Sequence, residues 1–287
     1  MQLQIKMRVT KHLDWLSVTI PQGENWRKVI SPCVFVANSK GGKHGYRSMY
    51  RCSETGAILE TDSDNEAQGS HFTLTGDCLQ NLRNDFGMVD DALCQRFADV
   101  DGRCSRIDLT LNLLESSVTP KLLNRALLGH KAHIRARKWR FIAGHDNGVN
   151  GDTVDTGSPK SDRRFRCYDK AAESKIVDMV AWTRLELQLR RLYARQSFDS
   201  CVNNGVSATV NGSIEDYLAW DNPEYLEALA GDSALPQDVV RKDTNRQRWL
   251  LGQVARALAN EAHENPEFQA RFNLMVAYWM EQLNNKS

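Results

Sequence analysis

Residues 104–113, CSRIDLTLNL, alternate without a break: Ile107, Leu109, Leu111 and Leu113 fall on one side, and Arg106, Asp108, Thr110 and Asn112 on the other. Successive side chains of an extended chain point to opposite faces, so a period of two predicts a strand with one face on a core and one polar face. The pattern recurs on both sides of this stretch. Residues 13–20 (LDWLSVTI) read as a strand stopped by Pro21, and 46–52 and 71–75 as two more, beyond a loop marked by Gly41, Gly42 and Gly45. Downstream, 138–142 reads as another short strand, and 163–170 and 182–190 alternate as well, the last with Leu185, Leu187 and Leu189 on its apolar face. The Gly-, Asp- and Asn-rich residues 146–161 read as a long polar loop.

Helices fit at 90–98 and at 120–128, the second with Thr119 as N-cap. After about Arg195 the texture turns helical. Ser213 is expected to cap a helix with Glu215 in its first turn, and 223–230 to form another. Residues 236–264 carry helical spacing through Val239, Val240, Trp249, Leu250, Val254 and Leu258. Pro266 opens a last helix with Phe268, Phe272, Met275, Val276 and Trp279 on one side, a stripe that reads as core. The expected fold is therefore α+β: a central, mainly antiparallel sheet with flanking helices over 1–198, then a helical C-terminal region over 199–287.

Bulk composition excludes several classes. At 287 residues with 41% hydrophobic and 25% charged residues, the chain has the balance of a soluble globular protein. No apolar run approaches the roughly 20 residues that span a bilayer. MQLQIKMRVTKHLDW lacks the apolar stretch of a secretory signal, so a cytoplasmic protein with no membrane partner is expected. Seven scattered cysteines without a C-x-x-C pair favour reduced thiols over disulfides or a structural zinc site. The net charge is only +1, but it is unevenly spread. Residues 54–101 hold eleven acids and two bases, whereas 131–170 hold ten bases and five acids. The run Lys131, Arg135, Arg137, Lys138 and Arg140 has no acid within it. Such a run is either a solvated edge or a phosphate-binding face, since nucleic-acid affinity follows local potential.

Three alternating segments have polar faces that belong together chemically. Asp108 stands on the polar side of its strand, Glu186 on that of 182–190, and Tyr168 shares a side with Arg164, Arg166 and Lys170. Taken singly, each is an ordinary amphipathic strand. Taken together they suit phosphodiester transfer. A tyrosine hydroxyl, with an ordinary pKa near 10, needs activation, which a neighbouring Lys170 or arginine is expected to give. Two carboxylates can hold Mg²⁺ or Mn²⁺, and the ion can stabilise charge on phosphate oxygens.

The string Gly157-Ser158-Pro159-Lys160-Ser161, followed by Arg166-Cys167-Tyr168-Asp169-Lys170, resembles the signature of the replication initiation factor family. These are rolling-circle initiators of plasmids and filamentous phages, with related conjugative relaxases. Asp14-Trp15-Leu16-Ser17, Arg106-Ile107-Asp108 and Arg184-Leu185-Glu186 resemble its other motifs, in family order across residues 13–191. The resemblance implies a sheet-based nicking and joining domain that cuts single-stranded origin DNA through a covalent phosphotyrosine. It places the nucleophile on Tyr168, aided by Lys170, and metal ligation on Asp108 and Glu186. Arg106 and Arg184 become phosphate contacts, and on the same function Arg164, Arg166 and the run Lys131, Arg135, Arg137, Lys138 and Arg140 are the expected further DNA contacts. The implied partners are DNA and a host helicase; a homodimer is compatible, although no heptad seam marks one.

One departure stands out. Many members carry a second acid four residues after the first, where this chain has Asn112; Asp14, Asp169 and Glu173 are the alternatives for a third ligand. His130 and His133, with no third ligand evident, read as surface residues or phosphate contacts. Gly41-Gly42-Lys43 lacks the frame of a phosphate loop, and Ser158 and Ser161 read as turn formers. Tyr193 is the rival nucleophile. A conjugative relaxase and a non-catalytic DNA-binding regulator remain the competing functions.

Overall fold

The computed structural model describes residues 7–24, 29–30, 33–38, 41–65, 68–144, 151–174 and 181–236. The chain falls into two compact units, Met1–Asp238 and Val239–Ser287. The helices expected over 236–264 and after Pro266 lie outside the described residues.

The strands are β1 (Arg8–Ile20), β2 (Phe35–Ala37), β3 (Tyr46–Cys52), β4 (Ile58–Ser63), β5 (Ser70–Thr75), β6 (Arg103–Leu114), β7 (Ala132–Ile134), β8 (Trp139–Ile142), β9 (Thr153–Thr156), β10 (Arg163–Asp169), β11 (Trp182–Arg190) and β12 (Leu218–Trp220). The helices are α1 (Gly76–Phe86), α2 (Asp90–Ala98), α3 (Pro120–Leu128), α4 (Lys170–Ser174), α5 (Arg191–Asn204), α6 (Val206–Tyr217) and α7 (Pro223–Ala228). Ten strands form one sheet in the order β2-β3-β4-β5-β1-β6-β11-β10-β9-β8. Every neighbouring pair in it is antiparallel. β7 and β12 make a separate two-stranded sheet. The α+β class with an antiparallel sheet and flanking helices is therefore as expected. Among the described residues no helix is long and apolar enough to cross a membrane.

The apolar faces of the central strands build the core. Leu13, Leu16, Val18, Ile20, Ile107, Leu109, Leu111, Leu185 and Leu187 are fully buried, and α1, α2, α5 and α6 pack over the central strands. Burying one such leucine stabilises by about 1.5–3 kcal/mol. Local signals set the helix ends. Thr119 Oγ1 accepts the Leu122 N–H at 3.2 Å with Pro120 in the first turn, and α1 stops at Gly87 in the left-handed region.

Two departures from the expected elements have clear causes. Ser213 is not an N-cap but sits buried inside α6, because α5 ends at Asn204 and the chain restarts as helix after Gly205, whose φ is +84°. The stretch 146–161 is not all loop: Thr153–Thr156 forms β9, a strand too short for its period to stand out among Gly and Asp.

One irregularity shapes the polar face. The β1–β6 register shifts between Leu13 and Trp15, so Asp14 is an extra residue. The shift changes the phase of β1: Leu13 and then Leu16 point to the core, and Trp15 comes opposite Asp108 on the other side.

Candidate active site

Cross-strand register arranges the polar face into rows. One row runs His12, Thr110, Glu186, Arg166, Asp155 and Arg140 across β1, β6, β11, β10, β9 and β8. The next holds Thr10, Asn112, Arg184, Tyr168 and Thr153; on the other side come Trp15, Asp108, Gln188 and Arg164, then Ser17, Arg106 and Arg190. Directly opposed residues have Cβ atoms about 4.5–5.5 Å apart, so side chains in a row interact. The three strands read separately in the sequence, β6, β10 and β11, are indeed sheet neighbours with their polar sides on one face.

Tyr168 and Glu186 are in direct contact. The Tyr168 hydroxyl donates to Glu186 Oε2 at 3.2 Å, and Arg166 donates to Oε1 of the same carboxylate. The Arg166 guanidinium also lies 5.3 Å from the Tyr168 ring centre. Glu186 is 1% exposed and Tyr168 7%. Burial lifts Glu186 above the usual carboxylate range, with Arg166 opposing. Burial, and then the Glu186 charge, push the Tyr168 phenol well above its ordinary value despite the pull of Arg184. The expected cationic activation is thus not what the geometry gives. Lys170 pairs with Glu173, and the phenol's hydrogen-bond partner is a carboxylate.

Asp108 lies two residues along β6 from that row. Arg106 grips it with Nε at 3.0 Å and Nη2 at 2.6 Å, while stacking 4.0 Å from the Trp15 ring centre. Burial raises Asp108 above the carboxylate range, with Arg106 opposing. Asn112, which stands where an acid was the alternative, is a hydrogen-bond hub. Its Oδ1 accepts from Trp182 Nε1 at 2.9 Å and Arg184 Nε at 2.8 Å, and its Nδ2 donates to Thr10 Oγ1 at 3.0 Å. Arg184 Nη1 reaches on to Asp14 Oδ1 at 2.9 Å. Of the alternative third acids, Asp169 at the end of β10 receives the Ala172 N–H of α4 and Glu173 pairs with Lys170, whereas Asp14 belongs to this face.

Three acids share this face. The Asp14 charge raises both Asp108 and Glu186, and Asp108 raises Glu186, after burial as the main cause for each. Between them on β6, the Thr110 hydroxyl is fully buried without a hydrogen-bond partner among the described residues. Mutually repelling carboxylates around an orphaned hydroxyl favour a positive ion, a need that Arg106, Arg166 and Arg184 meet in this arrangement. No group of three or more His, Cys, Asp or Glu is placed to hold a metal ion among the described residues.

Asp155, which sequence reasoning passed over inside the presumed loop, is 2% exposed and bracketed by Arg164 (2.9 Å) and Arg140 (2.5 Å). Burial opposes its charge, but the two arginines outweigh it and hold its carboxyl below the usual range. Arg135 and Arg163 pair with Asp216, at 2.8 and 3.1 Å. Arg137 and Lys138 are exposed, and Lys131 is exposed beyond the end of α3. With Trp139 and the 157–159 turn, Arg135–Arg140 line a cleft of about 820 Å³. Ser158 and Ser161 lock that turn, the Ser158 N–H donating to Ser161 Oγ and the Ser161 N–H to Ser158 O, each at 2.9 Å. Tyr193 lies elsewhere, 5.1 Å from the Arg163 guanidinium in a pocket with Leu187 and Leu189 on the apolar side of β11. His130 and His133 are exposed.

No family model matches the chain, and no curated protein matches it. Among solved structures it is similar to the rolling circle replication initiator protein from Geobacillus stearothermophilus, with a TM-score of 0.63 over 83% of this chain and 91% of that one. At 20% sequence identity, what the two chains share is a fold.

Proposed function

We propose that the chain initiates rolling-circle replication in the cytoplasm by nicking and rejoining single-stranded origin DNA through Tyr168. The observation that carries this reading is the Tyr168–Glu186 hydrogen bond at 3.2 Å on a face rich in arginine. A fold shared with a rolling-circle initiator supports it.

In this mechanism Tyr168 Oη attacks the scissile phosphorus and its proton passes to Glu186. A carboxylate whose proton affinity is raised by burial is a better acceptor than an exposed one. The tyrosine O–P bond forms, one P–O bond of the strand breaks, and the departing oxygen takes the proton back from Glu186. The phosphotyrosine conserves the bond energy, so the reverse sequence reseals the strand without ATP. Arg184, Arg166 and Lys170 receive the phosphate oxygens, and Arg106 and Arg164 flank the strand. In this reading Asp108 and Glu186 would hold Mg²⁺ or Mn²⁺. The ion supplies positive charge against the phosphate oxygens when bound. The cleft lined by Arg135, Arg137, Lys138 and Arg140, with Lys131 nearby, takes flanking DNA. A host helicase and a second copy of the chain are the further partners of this reading.

The test is incubation with single-stranded origin DNA and Mn²⁺, followed by denaturing electrophoresis. A covalent adduct is expected for the native chain and none for Tyr168→Phe at unchanged DNA affinity. A conjugative relaxase would give the same adduct on a transfer origin. The reading as a DNA-binding regulator draws on the arginine pairing of both Asp108 and Glu186. It predicts binding without an adduct under any metal condition.

A further inference from the structure

A second basic depression lies on the polar face, at the other end of β6 from Tyr168. It is a trough of about 730 Å³ whose floor includes Trp15, Met49 and Ile58 and whose rim includes Lys43, Lys160 and Arg190. Arg106, which also lines it, is the one proposed DNA contact among its residues, and Trp15 and Lys160 fall within the signature motifs.

The charges of this trough are out of balance. Arg106 is committed to Asp108, and Arg191 lies 3.4 Å from Asp162. The acid in the lining, Glu60, accepts the backbone N–H of Lys43 at 2.7 Å. The side chains of Lys43 and Lys160 are exposed and have no acid partner among the described residues. Arg190 Nε is buried with no hydrogen-bond partner among the described residues. Burial, then the charge of Arg106, pull Arg190 below its ordinary pKa, as expected for a cation among cations. The rim therefore seeks an anion. The floor is of another kind: an indole fixed by its Nε1 bond to Ser17 Oγ at 2.8 Å, beside a thioether and an aliphatic side chain.

We infer that this trough is a nucleotide subsite for single-stranded DNA, with a base seated on Met49 and Ile58 beside the Arg106-stacked Trp15 and its phosphate held by Arg190, Lys160 and Lys43. Apolar floor and cationic rim are the two halves of sequence-tolerant single-strand binding, and the volume suits one or two nucleotides. The inference rests on the nicking reading for the identity of its ligand. It adds a place where the strand is held away from the scissile bond. The turn bearing Pro159 lines both this trough and the cleft of Arg135–Arg140, so one hairpin tip borders both basic depressions.

The test is fluorescence anisotropy of a labelled single-stranded oligonucleotide of about ten nucleotides, with the full chain. Arg190→Gln and Lys160→Gln are each expected to weaken binding about tenfold. Each is also expected to lower the slope of log affinity against log salt by about 0.7. Lys160 stands exposed in a turn, so its replacement leaves the fold intact. Native affinity and slope for Lys160→Gln overturn the subsite, whatever Arg190→Gln does. The two readings fail separately. Loss of affinity in both variants with no tyrosine adduct in the native chain sinks the nicking mechanism and keeps the subsite; an adduct with unmoved affinities does the reverse.

Discussion

The Tyr168 hydroxyl and the Glu186 carboxylate meet 3.2 Å apart across β10 and β11, and the same carboxylate takes an ion pair from Arg166. One buried acid therefore both receives the phenol's hydrogen bond and is balanced by a guanidinium. On the proposed nicking reading, Glu186 is the proton acceptor for Tyr168.

Replacing that acceptor separates chemistry from binding. Glu186→Gln keeps a hydrogen-bond acceptor for Tyr168 but removes the base, so the rate of strand scission in a single turnover is expected to fall about 100-fold or more. Affinity for single-stranded DNA should stay within a few-fold. A native scission rate in this variant would show that the proton leaves by another route.

Asp155 tests the architecture around the site. Its carboxylate neutralises Arg164 and Arg140 in a nearly buried position. Asp155→Ala strands Arg164 in particular, and urea denaturation is expected to show a loss of about 3 kcal/mol. Unchanged stability would mean that solvent already balances these arginines.

Cation binding has a readout independent of catalysis. Excess Mn²⁺ is expected to raise the melting temperature of the native chain, because an ion bound only by the folded state stabilises it. Asp108→Asn and Glu186→Gln should each abolish most of that rise. An equal rise in all three proteins would place the ion elsewhere.

His12 supplies a pH dependence. Burial first, then the charges of Arg83 and Arg184, hold its pKa at about 4, against an ordinary 6.5. Between these values the unfolded chain binds a proton that the folded chain does not. The contribution of His12 is thus complete above pH 6.5 and is lost as the pH falls toward 4. Unfolding free energies of the native chain and His12→Gln, measured through this window, should converge toward the acid end. Parallel curves would show that His12 titrates normally in the fold.

The sequence foretold the parts of this molecule whose period is long and clean. Residues 46–52, 90–98, 120–128 and 182–190 form their elements at the expected bounds, with capping explicit at 120–128 and alternation at 182–190. The pairing of Tyr168 with Glu186 was legible as a shared polar side, which only register could turn into contact. Less was visible where geometry depends on a partner strand. The bulge at Asp14 that brings Trp15 opposite Asp108 is a property of the β1–β6 pair, not of β1 alone. Asp155 lay hidden because a strand as short as Thr153–Thr156 carries almost no period. The local charge run suggested that a cation would lower the phenol's pKa, whereas burial, invisible in sequence, raises it.

The central claim concerns one oxygen atom, and mass spectrometry can address it directly. After reaction with single-stranded origin DNA and Mn²⁺, the covalent complex is digested with nuclease and protease, and the nucleotide-bearing peptide is sequenced. The modification is expected on Tyr168, within RCYDK. A modification on Tyr193 or any other residue, or a cleaved strand with no protein attached, would contradict it.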